Sequence, residues 1–137
     1  MRWAMLCAAV LVTAFMGACT RRDTRIQEPP DAKLAREFAE ALGRRDFDRA
    51  HALLATETGR TVTLAALEAE YGKRIPPSAG APSDIEIVNV ENEWPDKQAG
   101  DVVLVYVGIG AGPHSAMFNV VVSEAGGTRS IRALEWQ

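Results

Sequence analysis

The segment Asp101–Ile109 constrains the fold of this chain more than any other stretch. It is rich in β-branched and aromatic residues, which fit the pleated surface of a sheet. Because side chains alternate along a strand, the segment divides into two faces. One face carries Val103, Val105, Val107 and Ile109, and the other carries Val102, Leu104 and Tyr106. Both faces are apolar, so the pattern predicts a central strand that is covered on both sides.

Two more strands are predicted after this one. Gly108–Pro113 contains three glycines and a proline and is typical of a turn. Ser115–Ser123 alternates between an apolar and a mixed face, and the glycines of Ala125–Thr128 make a second turn. In the last strand, Arg129–Trp136, strict alternation puts two sets of residues on opposite faces. One face carries Arg132, Leu134 and Trp136, and the other carries Ile131, Ala133 and Glu135. Short turns favour antiparallel neighbours, so the segment predicts a meander.

A fourth strand is predicted upstream, over Asp84–Trp94, after a proline-containing loop. The face on which its apolar residues lie changes part-way along the strand. Ile85 and Ile87 point to one face, whereas Val88 and Val90 point to the other. Either both faces are partly covered, or a β-bulge shifts the register.

Three helices are predicted before the sheet. The first begins at Asp31, an N-cap residue after two prolines, and ends at Gly43. Its apolar residues recur every four positions, as a helix that buries one stripe requires. That stripe consists of Leu34, Phe38 and Leu42.

The second helix is predicted over Asp46–Leu54, with Asp46 as its cap and His51 on its inner stripe. Thr56–Gly59 breaks it, and Arg60–Val62 is expected to be extended. The third helix follows a cap at Thr63 and ends at Gly72; its inner stripe consists of Leu64, Leu67 and Tyr71. The whole pattern predicts an α+β fold, with three N-terminal helices packed on a four-stranded antiparallel sheet.

The N-terminus has the layout of an export signal. Arg2 precedes the uncharged run Trp3–Ala18, which is shorter than the roughly 20 residues of a spanning helix. The run ends in Gly17, Ala18 and Cys19, which resembles the lipobox of bacterial lipoproteins, with Met16 where leucine is usual. The resemblance implies that residues 1–18 are a signal peptide and that Cys19 is lipidated. The alternatives are an ordinary signal peptide with an incidental cysteine, or an uncleaved anchor.

The cysteine count agrees with this interpretation. Cys7 would leave with the signal peptide, so Cys19 would remain alone, and an unmodified thiol is a liability in an oxidising compartment. Residues 19–30 form a linker that ends in two prolines. Three arginines, Arg21, Arg22 and Arg25, follow the cysteine and would each add about 1 kcal/mol of attraction to anionic lipid, unless the segment is a plain soluble tether.

The position after the cysteine bears on localisation. Thr20, rather than aspartate, follows Cys19. In the lipoproteins that the sequence resembles, this favours an outer membrane over an inner one where the cell has two. We therefore expect a membrane-anchored lipoprotein of the bacterial cell envelope that faces the periplasm.

The overall composition excludes several classes. At 137 residues the chain has room for one domain, and its 15 basic and 18 acidic residues leave no basic stripe for nucleic acid. Two distant histidines and no cysteine pair after cleavage give no zinc-type ligand spacing. Gly108–Gly112 lacks the strand-to-helix context of a dinucleotide fingerprint. We expect no metal and no cofactor.

The helical stretches Leu34–Leu42, with Asp46-Phe47, and Thr63–Leu67, with Tyr71-Gly72, resemble the nuclear transport factor 2-like (SnoaL-like) superfamily. The resemblance covers residues 31–137. It implies a curved, cone-like sheet that wraps the first long helix and forms a pocket. A cystatin-like sheet on one helix is the rival fold, which three separate helical stripes disfavour.

The resemblance also suggests where chemistry would lie. Enzymes of that superfamily, such as ketosteroid isomerases and dehydratases, use a pocket Asp, His or Tyr for proton transfer. No position here matches a family catalytic motif, so no catalytic residue is predicted. The candidates for a ligand pocket are Phe38, His51, Tyr71, Trp94, Tyr106 and Glu135.

The leading functional hypothesis is a non-catalytic, lipid-anchored domain that binds a protein or a small apolar ligand. The alternatives are a small acid–base enzyme that uses the cone pocket and an assembly or scaffold component. Helices can cover only one face of the doubly apolar central strand. The other face therefore needs a partner, and a second copy packed sheet to sheet would supply one.

Overall fold

The computed structural model describes residues Glu28–Gln137. The predicted signal peptide, Cys19 and the arginines that follow it lie outside the described residues. The architecture is α+β, with four α-helices followed by a four-stranded antiparallel sheet. The helices are α1 Lys33–Gly43, α2 Phe47–Ala52, α3 Thr56–Thr61 and α4 Leu64–Arg74, with short 3-10 turns at Pro30–Ala32 and Pro77–Ala79. The strands are β1 Asp84–Glu91, β2 Asp101–Ala111, β3 His114–Ala125 and β4 Thr128–Trp136.

Two of the three predicted helix caps are confirmed. The Asp46 carboxylate accepts from the backbone N–H of Arg49 at 3.1 Å, and the Thr63 hydroxyl accepts from that of Ala66 at 3.1 Å. The predicted cap at Asp31 is wrong. The prolines begin a 3-10 turn that contains Asp31, so α1 starts later and has no side-chain cap. The Asp31 carboxylate instead accepts from the Arg129 guanidinium at 2.5 Å.

The predictions of a break at Thr56–Gly59 and of an extended piece at Arg60–Val62 are wrong except at Val62, because α3 covers Thr56–Thr61 and only Val62 after it is extended. Tertiary contacts stabilise this short helix. The buried Thr58 hydroxyl donates to the carbonyl of Arg132 in β4 at 2.5 Å, and His51 bonds the carbonyl of Gly59 at 3.0 Å. Local propensity gives no sign of these long-range bonds.

The prediction that the last helix stops at Gly72 is also wrong. Helix α4 continues to Arg74. The next residue, Ile75, has a fully buried side chain and precedes Pro76. A residue before proline is disfavoured in helical geometry, so the proline sets the boundary and the glycine does not. Leu64, predicted on the inner stripe, is 37% exposed.

The predicted meander is confirmed, since the strand order is β1-β2-β3-β4 with every neighbouring pair antiparallel. The predicted turn at Gly108–Pro113 is too long. Strand β2 runs to Ala111, so Gly108 and Gly110 are strand residues, and only Gly112 and Pro113 make the turn. The helices pack on one face of the sheet, where Val103, Val105, Val107 and Ile109 are buried. In the part of the chain that the structure describes, no helix covers the opposite face, which we call the open face.

A β-bulge explains the phase change in β1. Ile87 pairs with Val107, and Asn89 then pairs with Tyr106, so Val88 is the extra residue. Beyond the bulge, Val90 pairs with Val105 and returns to the helix-facing side of the sheet.

A second bulge, in β4, overturns the strict alternation predicted there. Ile131 pairs with Val122 and Ala133 with Val121, which puts Ile131 on the helix-facing side together with Leu134 and Trp136. The cause lies outside the sheet. The backbone of Ile131 bonds the link between α2 and α3, donating to Leu53 at 2.9 Å and accepting from Ala55 at 2.7 Å.

Aromatic side chains fill the space between helices and sheet. The Phe38 ring meets the Phe118 ring edge to face at 5.6 Å between centroids, and Phe118 meets Trp136 at 5.2 Å. The Arg74 guanidinium covers the outer side of Trp136, 4.8 Å from its centroid. The core cluster and its packing partners lie between Ala32 and Trp136, so a chain that begins at Thr20 retains all of them.

Candidate functional site

Two of the predicted pocket residues, Phe38 and Tyr71, are core residues with at most 1% exposure. The Tyr71 ring packs against Phe47 at 6.0 Å, and the Arg45 guanidinium lies 5.3 Å from its centroid. Burial raises the pKa of the Tyr71 hydroxyl, against a smaller opposing effect of the Arg45 charge. Among Glu28–Gln137, this hydroxyl is the one buried side-chain polar group without a hydrogen-bond partner.

His51 and Trp94 lie elsewhere. The half-buried His51 ring joins α2 to α3 through the carbonyl of Gly59. Trp94 belongs to the loop between β1 and β2, where the Lys97 ammonium lies 5.5 Å from its ring centroid. Each side chain thus has a local contact that accounts for its position.

The sheet brings the last two candidates, Tyr106 and Glu135, to the same surface. Tyr106 pairs with Asn119 and Asn119 pairs with Glu135, so the three form a row across the open face. Asn119 Nδ2 donates to a Glu135 carboxylate oxygen at 3.5 Å. Desolvation raises the pKa of Tyr106, and Glu91 and Glu135 raise it further because their negative charges disfavour a phenolate. The six candidates therefore occupy several separate places and do not converge on one pocket.

The open face carries apolar side chains that solvent reaches. Val88, displaced by the β1 bulge, is 42% exposed, and Met117 of β3 is 46% exposed. Leu104 and Val121, paired two rows further along the same face, are 7% exposed, and the half-buried Tyr106 lies in the row between. Contiguous apolar patches of more than a few hundred Å² mark interaction sites, so this face is a candidate for one.

Carboxylates flank the apolar part of the open face. The sheet register assigns four of them to this side: Asp84, Glu86 and Glu91 of β1 and Glu135 of β4. Within the described part of the chain, none of these four forms an ion pair with a lysine or arginine. The open face is therefore acidic at both edges.

The guanidinium of Arg132, at the β4 bulge, is already bound. It donates to both carboxylate oxygens of Asp101, from Nε at 2.6 Å and from Nη2 at 2.7 Å. Burial alone would raise the pKa of Asp101, but the hydrogen bonds from Arg132 and from the backbone N–H of Gln98 outweigh it and hold this pKa below its usual range. Arg132 consequently does not neutralise the carboxylates of the open face.

A groove of about 250 Å³ crosses the open face above Gly108 and Gly110. Its β1 wall consists of Asp84, Glu86 and Val88, and its β3 wall consists of Ser115 and Met117. Gly108 and Gly110 form the floor of the groove, and the groove is open above them because glycine has no side chain to fill it. Sequence reasoning missed this groove, although glycines at alternate positions in phase with the β2 pattern were the signal that indicates it.

Residues 28–137 contain neither a candidate membrane-crossing helix nor a candidate metal site. None of the helices there has both the length and the apolarity that a membrane crossing requires. Those residues also contain no group of three or more His, Cys, Asp or Glu side chains arranged to hold a metal ion.

Comparison with models of known protein families gives no match for this chain. Comparison with curated proteins gives no match either. A functional assignment therefore depends on the geometry of the chain's own residues.

Proposed function

We propose that this chain is a lipid-anchored protein of the cell envelope whose folded part is a non-catalytic binding domain. The observation that carries the proposal is the open face, where Val88 and Met117 are exposed on the same side of the sheet as Leu104 and Val121. Its occupant would be a protein partner, a second copy of the chain or a small apolar ligand. Interaction surfaces combine an apolar centre with a polar rim in this way.

We assign residues 31–137 to the nuclear transport factor 2-like superfamily as part of this proposal. Helices followed by an antiparallel meander support the assignment. Helix α1 supports it as well, because it contacts all four strands, as a helix wrapped by a cone of sheet would. The interior of that cone would be occupied by packed side chains such as Phe38, Tyr71 and Phe118.

The same geometry favours binding over the alternative of an acid–base enzyme. Pocket catalysis needs two titratable groups that converge on a cavity. Tyr71 is packed inside the core, His51 is engaged by Gly59, and Tyr106 and Glu135 lie on the opposite face of the sheet. The open face has the better claim to function because it combines exposed apolar side chains with carboxylates that form no ion pair among residues 28–137.

The anchor is proposed at Cys19, on the sequence pattern that precedes it. Its test is labelling of cells with radioactive palmitate. The wild-type chain should incorporate label and fractionate with membranes, the outer membrane where there are two, and Cys19→Ala should do neither. Cys7→Ala is the matched control and should behave as wild type. Incorporation that persists in Cys19→Ala would overturn the proposed anchor.

The binding role is tested by placing a photo-reactive benzoylphenylalanine at Met117 in cells. Position 117 lies on the open face, whereas exposed Glu68 of α4 provides a matched control on the helical side. We expect a discrete cross-linked product from position 117 and none from position 68. Equal cross-linking from both positions, or none from 117, would contradict the proposal.

A further inference from the structure

Strand β2 has two glycines at alternate positions of the open face. A glycine inside a strand weakens the strand and often marks a place where another group approaches closely. Neither Gly108 nor Gly110 has a positive φ. A Cβ at Gly108 would lie 3.6 Å from Val88 Cγ2, and one at Gly110 would lie 3.9 Å from Asp84 Cβ. Both are ordinary contacts, so neither the backbone nor the packing of residues 28–137 requires glycine there.

The groove above these glycines has two kinds of wall. Val88 and Met117 offer apolar surface on opposite sides, and the carboxylates of Asp84 and Glu86 lie along the β1 side. Its volume of about 250 Å³ is below the roughly 300 Å³ at which pockets for drug-sized molecules begin. The size suits a single side chain better than a whole small-molecule ligand.

We propose that this groove receives a lysine or arginine side chain from a protein partner. Such a side chain has an apolar stem and a cationic head, and the two ends seek different surroundings. The stem lies over Gly108 and Gly110 between Val88 and Met117, and the head reaches Asp84 and Glu86. This inference rests on the proposed binding function and names the chemistry of its partner.

Charge distinguishes this partner from a second copy of the chain. Two open faces packed together would bring carboxylates such as Glu91 and Glu135 near those of the other copy. Arg132, the basic side chain beside this face, is already bound to Asp101. Like charges brought together across an interface disfavour the complex, whereas a basic partner gains from the same carboxylates.

The probe for this inference is the peptide acetyl-Leu-Arg-Leu-amide. Its control is the same peptide with citrulline in place of arginine, which keeps the shape of the side chain but lacks its charge. Nuclear magnetic resonance of the chain from Thr20 resolves the amides of Gly108 and Gly110. We expect saturable shifts at both glycines with the arginine peptide. The citrulline peptide and the double variant Asp84→Asn, Glu86→Gln should each bind about fivefold more weakly, as loss of exposed charge pairs predicts.

Gly108→Ala fills the groove floor without strain and should weaken binding of the arginine peptide without lowering the melting temperature. Gly72→Ala, on α4, is the matched control and should bind as wild type. Shifts absent from both glycines, or equal for arginine and citrulline, would overturn the inference.

The inference and the proposed function fail in different ways. If position 117 cross-links equally well in the wild-type chain and in the Asp84→Asn, Glu86→Gln variant, the open face binds a partner of another chemistry and the inference is overturned alone. A cross-linked product that consists of two copies of this chain would also overturn the inference and leave the proposed function standing. If position 117 gives no product, the proposed function fails.

Discussion

Asp101 and Arg132 are joined by two hydrogen bonds although their strands, β2 and β4, are not neighbours. The Asp101 side chain has no exposed surface, and the Arg132 side chain is 29% exposed. The pair therefore spans β3 at one end of the sheet. It also depends on the β4 bulge, where Arg132 is the extra residue.

Arg132→Leu should lower the free energy of unfolding by about 3 kcal/mol, because it leaves the buried Asp101 carboxylate without its counter-charge. The matched control is Arg60→Leu, which removes an exposed ion pair with Glu57 and should change stability by less than about 0.5 kcal/mol. Urea unfolding followed by tryptophan fluorescence measures both variants. Equal, small effects would show that the Asp101–Arg132 pair does not stabilise the fold.

Acid should weaken the wild-type protein through the same pair. The folded state lowers the pKa of Asp101, so its contribution is complete above the unfolded pKa of about 4 and is lost as pH falls through the lower folded value. Stability should therefore fall more steeply below about pH 4 in the wild type than in Arg132→Leu. Urea unfolding at a series of pH values measures the two curves, and parallel curves would contradict the assignment.

Tyr71→Phe should raise the free energy of unfolding by about 1 kcal/mol, because it removes a buried hydroxyl that has no partner among the described residues. Tyr106→Phe is the control; its half-buried ring lies on the open face, and the change should stay within about 0.5 kcal/mol. Thermal unfolding compares the two. A clear loss of stability in Tyr71→Phe would mean that the hydroxyl does have a partner.

Two glycines in helices should respond to alanine in opposite directions. Gly72 lies inside α4 with open space around it, so Gly72→Ala should stabilise the protein by about 0.5–1 kcal/mol. At Gly43, the last residue of α1, a new Cβ would lie 2.9 Å from Pro82 Cγ, so Gly43→Ala should destabilise by about 1–3 kcal/mol. Changes of the same sign would contradict the packing of α1 against the loop before β1.

Much of the fold could be predicted from local pattern, because the strands alternate outside their bulges and Asp46 and Thr63 cap helices through near neighbours. The β1 and β4 bulges and α3 could be predicted only in part or not at all. Ile131 is held by backbone bonds to Leu53 and Ala55, and Thr58 is held by Arg132, which are contacts between segments far apart in sequence.

The candidate site was harder to predict for the same reason. The β1 bulge leaves Val88 without a cross-strand partner, and Gly108 and Gly110 have the composition of a turn although β2 continues through them. Tyr106 and Glu135 are candidates for a pocket inside the cone on sequence grounds, yet they lie on the opposite side of the sheet. Strand register, which depends on bulges, decides which residues share that surface.

The central claim is that the open face is occupied in the cell envelope, and Met117 reports on it directly. It is the only methionine after Met16, and its side chain is 46% exposed in the isolated chain. Brief peroxide treatment followed by mass spectrometry measures how fast it becomes the sulfoxide. We predict clearly slower oxidation in intact envelopes than for the purified protein alone at the same peroxide concentration. Equal rates in the two samples would contradict the claim.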